Sequence, residues 1–436
     1  MGSWITRQWA ASFDAPSRSG QRGGTYRAYL PDDLVTRPVV LSAGLAVRAA
    51  EVEADVRALS TAPETRALEG LARFLLRSEA IASSRIEGMQ VAPQQLALAE
   101  LAQSEQLTTT GFTRNAQLVA NNITTLRRAA NELASAPSIT VTGIDELHQA
   151  LLPDERHHGQ RTVQNWIGGS DWHPLDAQFV PPPPEHVGAL MDDLVQYANG
   201  ATHAALIQAA LVHAQFETIH PYTDGNGRVG RALIHTVLTR RGLTPSAVLP
   251  LSLVLLTRSD AYLDGLTAYR HNAPVSSDAS RSGLETWLWT FLEAADLAAA
   301  QVVRFTSEIA ELRARWREQL AARRSAQGVR QVPRADSAVA RLIELLPETP
   351  LLTARTVQRI LAVSFPAGRT ALEELADAKV VTRKNVDRGT TGYFASDVFE
   401  LLTIAERRLA STRWDTRQSP PSRPVPALAQ RRTVIG

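Results

Sequence analysis

The residues best equipped for chemistry crowd into one stretch, His220-Pro221-Tyr222-Thr223-Asp224-Gly225-Asn226-Gly227-Arg228-Val229-Gly230-Arg231. Histidine is the side chain whose ordinary pKa suits a general base near neutrality. Gly225 and Gly227 permit a tight loop with bare backbone N–H groups, and Asp224 and Asn226 are turn formers with polar ends. A helix beginning near Gly227 would aim its N-terminal dipole and unpaired N–H groups at an anion. Arg228 and Arg231, at i and i+3, would share a face of that helix and add bidentate donors for phosphate oxygens. One carboxylate, Asp224, suits Mg²⁺, which commonly takes one or two carboxylates plus substrate phosphates. Taken singly each piece is ordinary: a turn, a capping histidine, two solvated arginines. Their joint spacing predicts a magnesium–nucleotide site with a histidine base.

Such a site needs elements to hold it. The apolar run Ala204 to Ile219 reads as a helix that delivers His220, and Pro221 disfavours its continuation. Further helices are expected at Leu45–Leu59, Thr65–Arg85, Pro93–Leu101, Thr113–Leu133, Gly143–Leu152, Glu185–Tyr197, Gly227–Arg241, Arg258–Arg270 and Gly283–Arg324. Between Arg161 and Val180 the texture changes. Val163, Trp166 and Ile167 beside Gly168 and Gly169 suggest a short hairpin, and Pro181 to Pro184 a rigid extended connector. Residues 1 to about 60 read as a lead-in segment with Trp4 and Trp9 isolated. After a linker at Gln327–Pro333, helices at Ser337–Leu345, Thr353–Leu361 and Phe365–Ala378 precede strands at Val380–Arg383 and Gly392–Phe394, which is winged-helix order. From Trp414 a proline- and arginine-rich stretch is expected to be a disordered basic tail.

Composition bounds the rest. The chain has 436 residues, 44% of them hydrophobic, enough for two or three packed domains. A formal net charge of +2 does not by itself imply a nucleic-acid binder. The absence of cysteine excludes disulfides, thiolate zinc sites and a cysteine nucleophile, and fits a reducing compartment. No apolar run is long enough for a membrane span, and a cytoplasmic protein without membrane partners is expected. His157, His158 and His173 with Asp154 match no metal-ligand spacing.

The His220–Arg231 segment resembles the signature of the Fic (filamentation induced by cAMP) family, His-Pro-Phe-x-Asp/Glu-Gly-Asn-Gly-Arg-x-x-Arg, with Tyr222 in place of Phe. The resemblance extends from roughly Tyr29 to Arg324. It implies a mainly α fold: a Fic-type helical core with a short β-hairpin flap, here followed by a C-terminal winged helix-turn-helix-like domain. The implied division is an N-terminal segment 1–110, a catalytic core 111–325, the winged unit 335–410 and the tail 411–436. His220 resembles the base that deprotonates a target hydroxyl, and Asp224 the Mg²⁺ ligand. Gly225, Asn226 and Gly227 resemble the phosphate cradle, and Arg228 and Arg231 the ligands of the outer phosphates. The implied reaction transfers AMP from ATP to a Ser, Thr or Tyr hydroxyl of a target protein.

Ser83-Ser84-Arg85-Ile86-Glu87-Gly88 resembles the family's inhibitory motif, Ser/Thr-x-x-x-Glu-Gly/Asn, which implies that Glu87 engages Arg231 and blocks productive ATP binding. Trp166, Ile167 and Gly168 resemble the target-docking flap. Tyr262 resembles the first member of a Tyr-Tyr pair near the adenine; the second position is Leu263, and Arg270 falls where a polar adenine-side residue is common. Many members form homodimers. The competing readings are removal of AMP, transfer of another nucleotide on the same fold, and a nucleotide-sensing regulator that binds DNA through 335–410. Interleaved Glu373, Glu374, Asp377 and Asp387 make DNA the lesser expectation.

Overall fold

The computed structural model describes residues 2–61, 71–105, 112–244, 248–271, 273–387 and 389–412. The stretch from Trp414 lies outside the described residues, as do Thr65 and Leu68.

Two strands, β1 (Ser3–Trp9) and β2 (Gly24–Leu30), pair antiparallel with Ser3 opposite Leu30 and Trp9 opposite Gly24. This corrects the reading of a lead-in segment. Trp4 packs edge-on against Tyr29 at 5.1 Å, and Trp9 against Trp166 at 5.3 Å. Both strands are rich in aromatic and β-branched residues, which favour a pleated surface. The long loop between them carries no tight-turn signature, so no short-range hairpin signal marked them.

Helices α1 (Ala43–Thr61), α2 (Ala72–Ile86), α3 (Pro93–Glu105), α4 (Arg114–Arg128) and α5 (Val141–Leu151) follow. The expected Thr113–Leu133 helix is present, but its last turn, Ala129–Leu133, is a π-helix. Then come α6 (Val187–Asn199), α7 (Ala205–Ile219), α8 (Asn226–Arg240), α9 (Leu251–Thr257), α10 (Ser259–Tyr269) and α11 (Asp278–Ala326). Every residue of α7 is buried. A helix apolar on all faces has no side to offer to water, so it becomes the central post of the core. Its neighbour α8 is buried through Leu238.

Helix α11 has 49 residues, about 70 Å at 1.5 Å per residue. Trp287 and Phe291 near its start pack in the core around α7, and Trp316 and Leu320 near its end are buried against the C-terminal unit. That unit is α12 (Ala338–Leu345), β3 (Leu351–Thr353), α13 (Ala354–Leu361), α14 (Phe365–Asp377), β4 (Thr382–Asp387) and β5 (Thr390–Phe394). Its strands form one antiparallel sheet in the order β3-β5-β4. Thr353 closes β3 and caps α13 through a reciprocal box with Thr356. A final helix, α15 (Ser396–Thr412), returns to the N-terminal half, where Glu406 pairs with Arg85 of α2. One apolar core runs from Leu34 to Ala405 through both units.

The hairpin expected between Arg161 and Val180 is reduced to a single antiparallel bridge, Ile167 with Phe179. Gly168 and Gly169, both at positive φ, turn the chain immediately after Ile167, so no ladder extends beyond it.

Candidate active site

Helix α7 ends at His220, whose backbone adopts the left-handed conformation (φ 52°). A non-glycine residue there costs of order 1 kcal/mol and must be held by its surroundings. Arg161 does much of the holding. Its Nε donates to the His220 carbonyl (2.8 Å), its Nη2 to those of Pro182 (2.6 Å) and Ile219 (3.3 Å), and its backbone N–H to that of Pro221 (2.8 Å). Asn165 adds bonds to the carbonyls of His220 (3.3 Å) and Tyr222 (2.9 Å).

The loop is closed from within by Asn226. Its Oδ1 accepts from the Tyr222 N–H and its Nδ2 donates to the Tyr222 carbonyl, both at 2.8 Å. The Asn226 side chain therefore braces the loop instead of facing the cleft, a refinement of its expected place in a cradle. Tyr222 is buried; its hydroxyl donates to Asp145 (2.7 Å) and its ring stacks on His148 at 3.9 Å. The extra oxygen relative to Phe thus has a partner, as burial requires. His148 Nε2 bonds the Asp224 carbonyl at 2.9 Å, and burial lowers the imidazole's pKa to about 4, so it donates as a neutral ring. Gly225 adopts φ +82° at the head of α8, which has no side-chain cap. The end of α8 is thus open to an anion.

Glu87 occupies that opening. It follows the last turn of α2, with Gly88 in the left-handed conformation of a helix stop. Its Oε1 accepts from Arg231 Nη2 at 2.7 Å. It also lies against the α-carbon of Gly227: a Cβ there would come within 2.0 Å of the same oxygen. Ser83, one turn earlier, accepts from Arg231 twice, Nε to Oγ at 2.9 Å and Nη2 to the carbonyl at 2.8 Å. The Arg231 side chain is 1% exposed and that of Glu87 34%. Burial alone would lower the Arg231 pKa, but Glu87, Tyr262 and Glu217 outweigh it and raise it.

Arg228 is equally buried and donates to Asp224 Oδ1 at 3.2 Å. The Asp224 side chain stays 56% exposed. It is a hard oxygen donor beside the open helix end, which fits one carboxylate ligand of Mg²⁺. His220 has its Nδ1 turned inward without a hydrogen-bond partner, 4.0 Å from Glu217 Oε2. Burial, then the Arg270 guanidinium, lowers its pKa to about 4, so the ring is neutral at pH 7. Burial also pushes the Glu217 carboxyl up to about 7, against the pull of Arg231.

Tyr262 is 4% exposed, its hydroxyl bonded to His213 Nε2 at 2.8 Å and its ring between His213 and Trp287. It sits beneath the arginine cluster and offers no open face to a base. Arg270 lies over the Phe179 ring at 3.9 Å and donates to Thr218 and to the Glu217 carbonyl. Trp166 is half-buried, its indole N–H on the Ser170 carbonyl at 2.6 Å. His158 and His173 bond the Leu152 and Ser19 carbonyls, and Asp154 pairs with Arg156.

Sequence reasoning missed Arg161, Asn165, Asp145, His148 and Glu217. A signal existed for Glu217: polar residues inside the predominantly apolar, fully buried α7 each need a partner. Gln208 and Gln215 have theirs in the α6 carbonyls and in Asp32 and Tyr269. Glu217 stands one turn before the histidine with an oxygen left unpartnered.

Residues 138–238 match the Fic/DOC family model. The stretch holding His220 to Arg231 lies within the residues that match. The chain is similar to protein adenylyltransferase fic-1 of Caenorhabditis elegans, 32% identical over 130 residues, which is 28% of this chain and 23% of that protein. It is also similar to a probable protein adenylyltransferase, aq_aa38, of Aquifex aeolicus (39% over 75 residues, 17% and 23%) and to protein adenylyltransferase Fic of Drosophila melanogaster (34% over 114 residues, 24% and 21%). The chain thus spans less than a quarter of the length of these curated relatives. Among solved structures it resembles a Fic family protein from Desulfovibrio desulfuricans G20, with a TM-score of 0.50 and 20% identity over 83% of this chain and 98% of that one. That likeness establishes a shared fold.

Proposed function

We propose that this chain is a protein adenylyltransferase of Fic type, held inactive by Glu87. The observation that carries the reading is the position of the Glu87 carboxylate. It lies on Arg231 and against Gly227, where the open end of α8 would otherwise receive an anion. An internal carboxylate in an anion site is a competitor for phosphate.

In the released state, the α8 N-terminus, Arg228 and Arg231 hold the ATP phosphates. His220, with Nδ1 facing inward, uses its other ring nitrogen to take the proton from a Ser, Thr or Tyr hydroxyl of the target. The hydroxyl oxygen then forms a bond to the α-phosphorus, the α–β bridging bond breaks, and pyrophosphate leaves. Such a transfer depends on in-line placement and charge neutralisation. Asp224 would hold Mg²⁺, which supplies charge neutralisation at the phosphates. The Trp166–Gly168 segment would dock the target by strand addition.

The competing regulator reading finds less support. Arg383 is bound to Glu373 and Asp377, and Arg408 to Glu308, so part of the basic character of 335–410 is neutralised within the protein.

The test is label transfer from α-³²P-ATP with Mg²⁺ for wild type, Glu87→Gly, and Glu87→Gly with His220→Ala, each with and without cell lysate. Label on protein in the Glu87→Gly lane alone is expected. No label in any lane, from folded proteins that bind ATP, would overturn the transferase reading.

A further inference from the structure

A cavity of about 820 Å³ lies away from the Fic loop, walled by α2, α3 and α4 on one side and by the α12–β3 connection and α13 on the other. That volume is within the range of small-molecule sites. Its charged lining is Arg73, Arg77, Arg127 and Arg359 against Glu100 and Glu348. Arg77 is buried and satisfied on one side, with Nε and Nη2 on Glu100 (2.9 and 3.0 Å) and Nη2 also on the Glu348 carbonyl (3.1 Å). Its Nη1 is buried without a partner, and so is the hydroxyl of Thr349, another lining residue. Arg73, Arg127 and Arg359 are exposed and make no ion pair among the described residues. Three unpaired guanidiniums from three helices converge on one cavity that also holds two unsatisfied buried polar atoms. Buried donors in native proteins are ordinarily satisfied, so these mark a place where a bonding group is missing.

We propose that this cavity is a second anion site, for a phosphoanhydride of nucleotide size. Planar guanidiniums in a cluster match phosphate oxygens bidentately. Leu76, Leu101 and Ile360 supply an apolar side that suits a ring. The occupant would touch α2 at Arg73 and Arg77, on the helix that carries Ser83 in its last turns and Glu87 at its end. The site stands independently of the transferase reading.

Calorimetric titration of the full chain with pyrophosphate, and separately with ADP, tests it. Wild type is expected to show two classes of site. Arg73→Ala/Arg127→Ala/Arg359→Ala, three exposed positions whose change leaves the core intact, should weaken one class at least ~100-fold, about 2.7 kcal/mol. Arg228→Ala should remove only the other class. ADP binding more tightly than pyrophosphate to the class lost in the triple variant assigns a nucleotide; equal binding assigns the phosphoanhydride alone. A triple variant that titrates like wild type overturns the proposal. If Arg228→Ala leaves both classes intact while the triple variant loses one, the reading of the Fic loop fails and the second site stands.

Discussion

Replacing Glu87 by Gly is the perturbation whose outcome the geometry constrains most tightly. Two effects oppose each other. Arg231, 1% exposed, loses its carboxylate partner but keeps both bonds to Ser83. Removing one member of a fully buried pair costs about 3–5 kcal/mol. Here the carboxylate is 34% exposed, so solvent screening reduces the cost to roughly 1–2 kcal/mol. A negative charge at a helix C-terminus is itself unfavourable by about 0.3–1 kcal/mol, which its removal recovers. The variant should therefore fold, with a lowered melting temperature. Its activity should rise. If Arg231 and the α8 end are freed for phosphate, the lifted competition is worth about 1.4 kcal/mol or more, a tenfold or greater gain in AMP transfer from α-³²P-ATP. Glu87→Gln, which keeps a hydrogen-bond acceptor without the charge, should fall between the two. Transfer unchanged in a folded, ATP-binding Glu87→Gly protein would refute the reasoning, because the contact seen between Glu87 and Arg231 would then not be the obstacle.

Other variants separate chemistry from scaffolding. In the Glu87→Gly background, His220→Ala should abolish transfer while ATP affinity, measured calorimetrically, changes less than about threefold, because the phosphate-holding groups lie on α8. Tyr222→Phe removes the bond to Asp145 and should lower stability by about 1 kcal/mol in denaturant titration, with activity retained. Stability should also fall as pH drops from about 6.5 to about 4. His148 and His220 (both lowered to about 4) and His213 (to about 3) are neutral when folded but take protons when unfolded in that window. Glu217, raised to about 7, acts in the opposite sense between about 4.5 and 7, since the folded state then binds the extra proton. Thermal melts of Glu217→Gln, which lacks that opposing contribution, should show a steeper acid loss than wild type.

What could be read in the amino-acid order, and what could not, follows from the range of each interaction. The turn chemistry of the His220–Arg231 loop is local: its proline, glycines and helix start lie within twelve positions, and the rules for those residues suffice to read a tight loop entering a helix. Helices with a continuous apolar stripe or an all-apolar face, such as α7, are legible for the same reason. Strands β1 and β2 were not, because their pairing is set by contacts across a long loop and by Trp9 meeting Trp166, far away in sequence. Arg161, Asn165 and Asp145 act on the loop from 55 to 77 positions away. No spacing rule reaches that far. Tyr262 depends on long-range packing too: the resemblance puts it near an adenine, and contacts with His213 and Trp287 bury it. Glu87 lies between these cases. Its motif is local, but its consequence depends on α2 being held so that position 87 meets position 231. That holding is done by a buried contact at the middle of the helix and a part-buried one in its last turn. Glu79 bonds His235 of α8 and Ser252 of α9, and Arg85 pairs with Glu406 of α15. The inhibitory contact is thus the end of a brace that begins in the core and is fastened by the last helix described. The pairing of Arg85 with Glu406 is therefore part of what keeps Glu87 on Arg231.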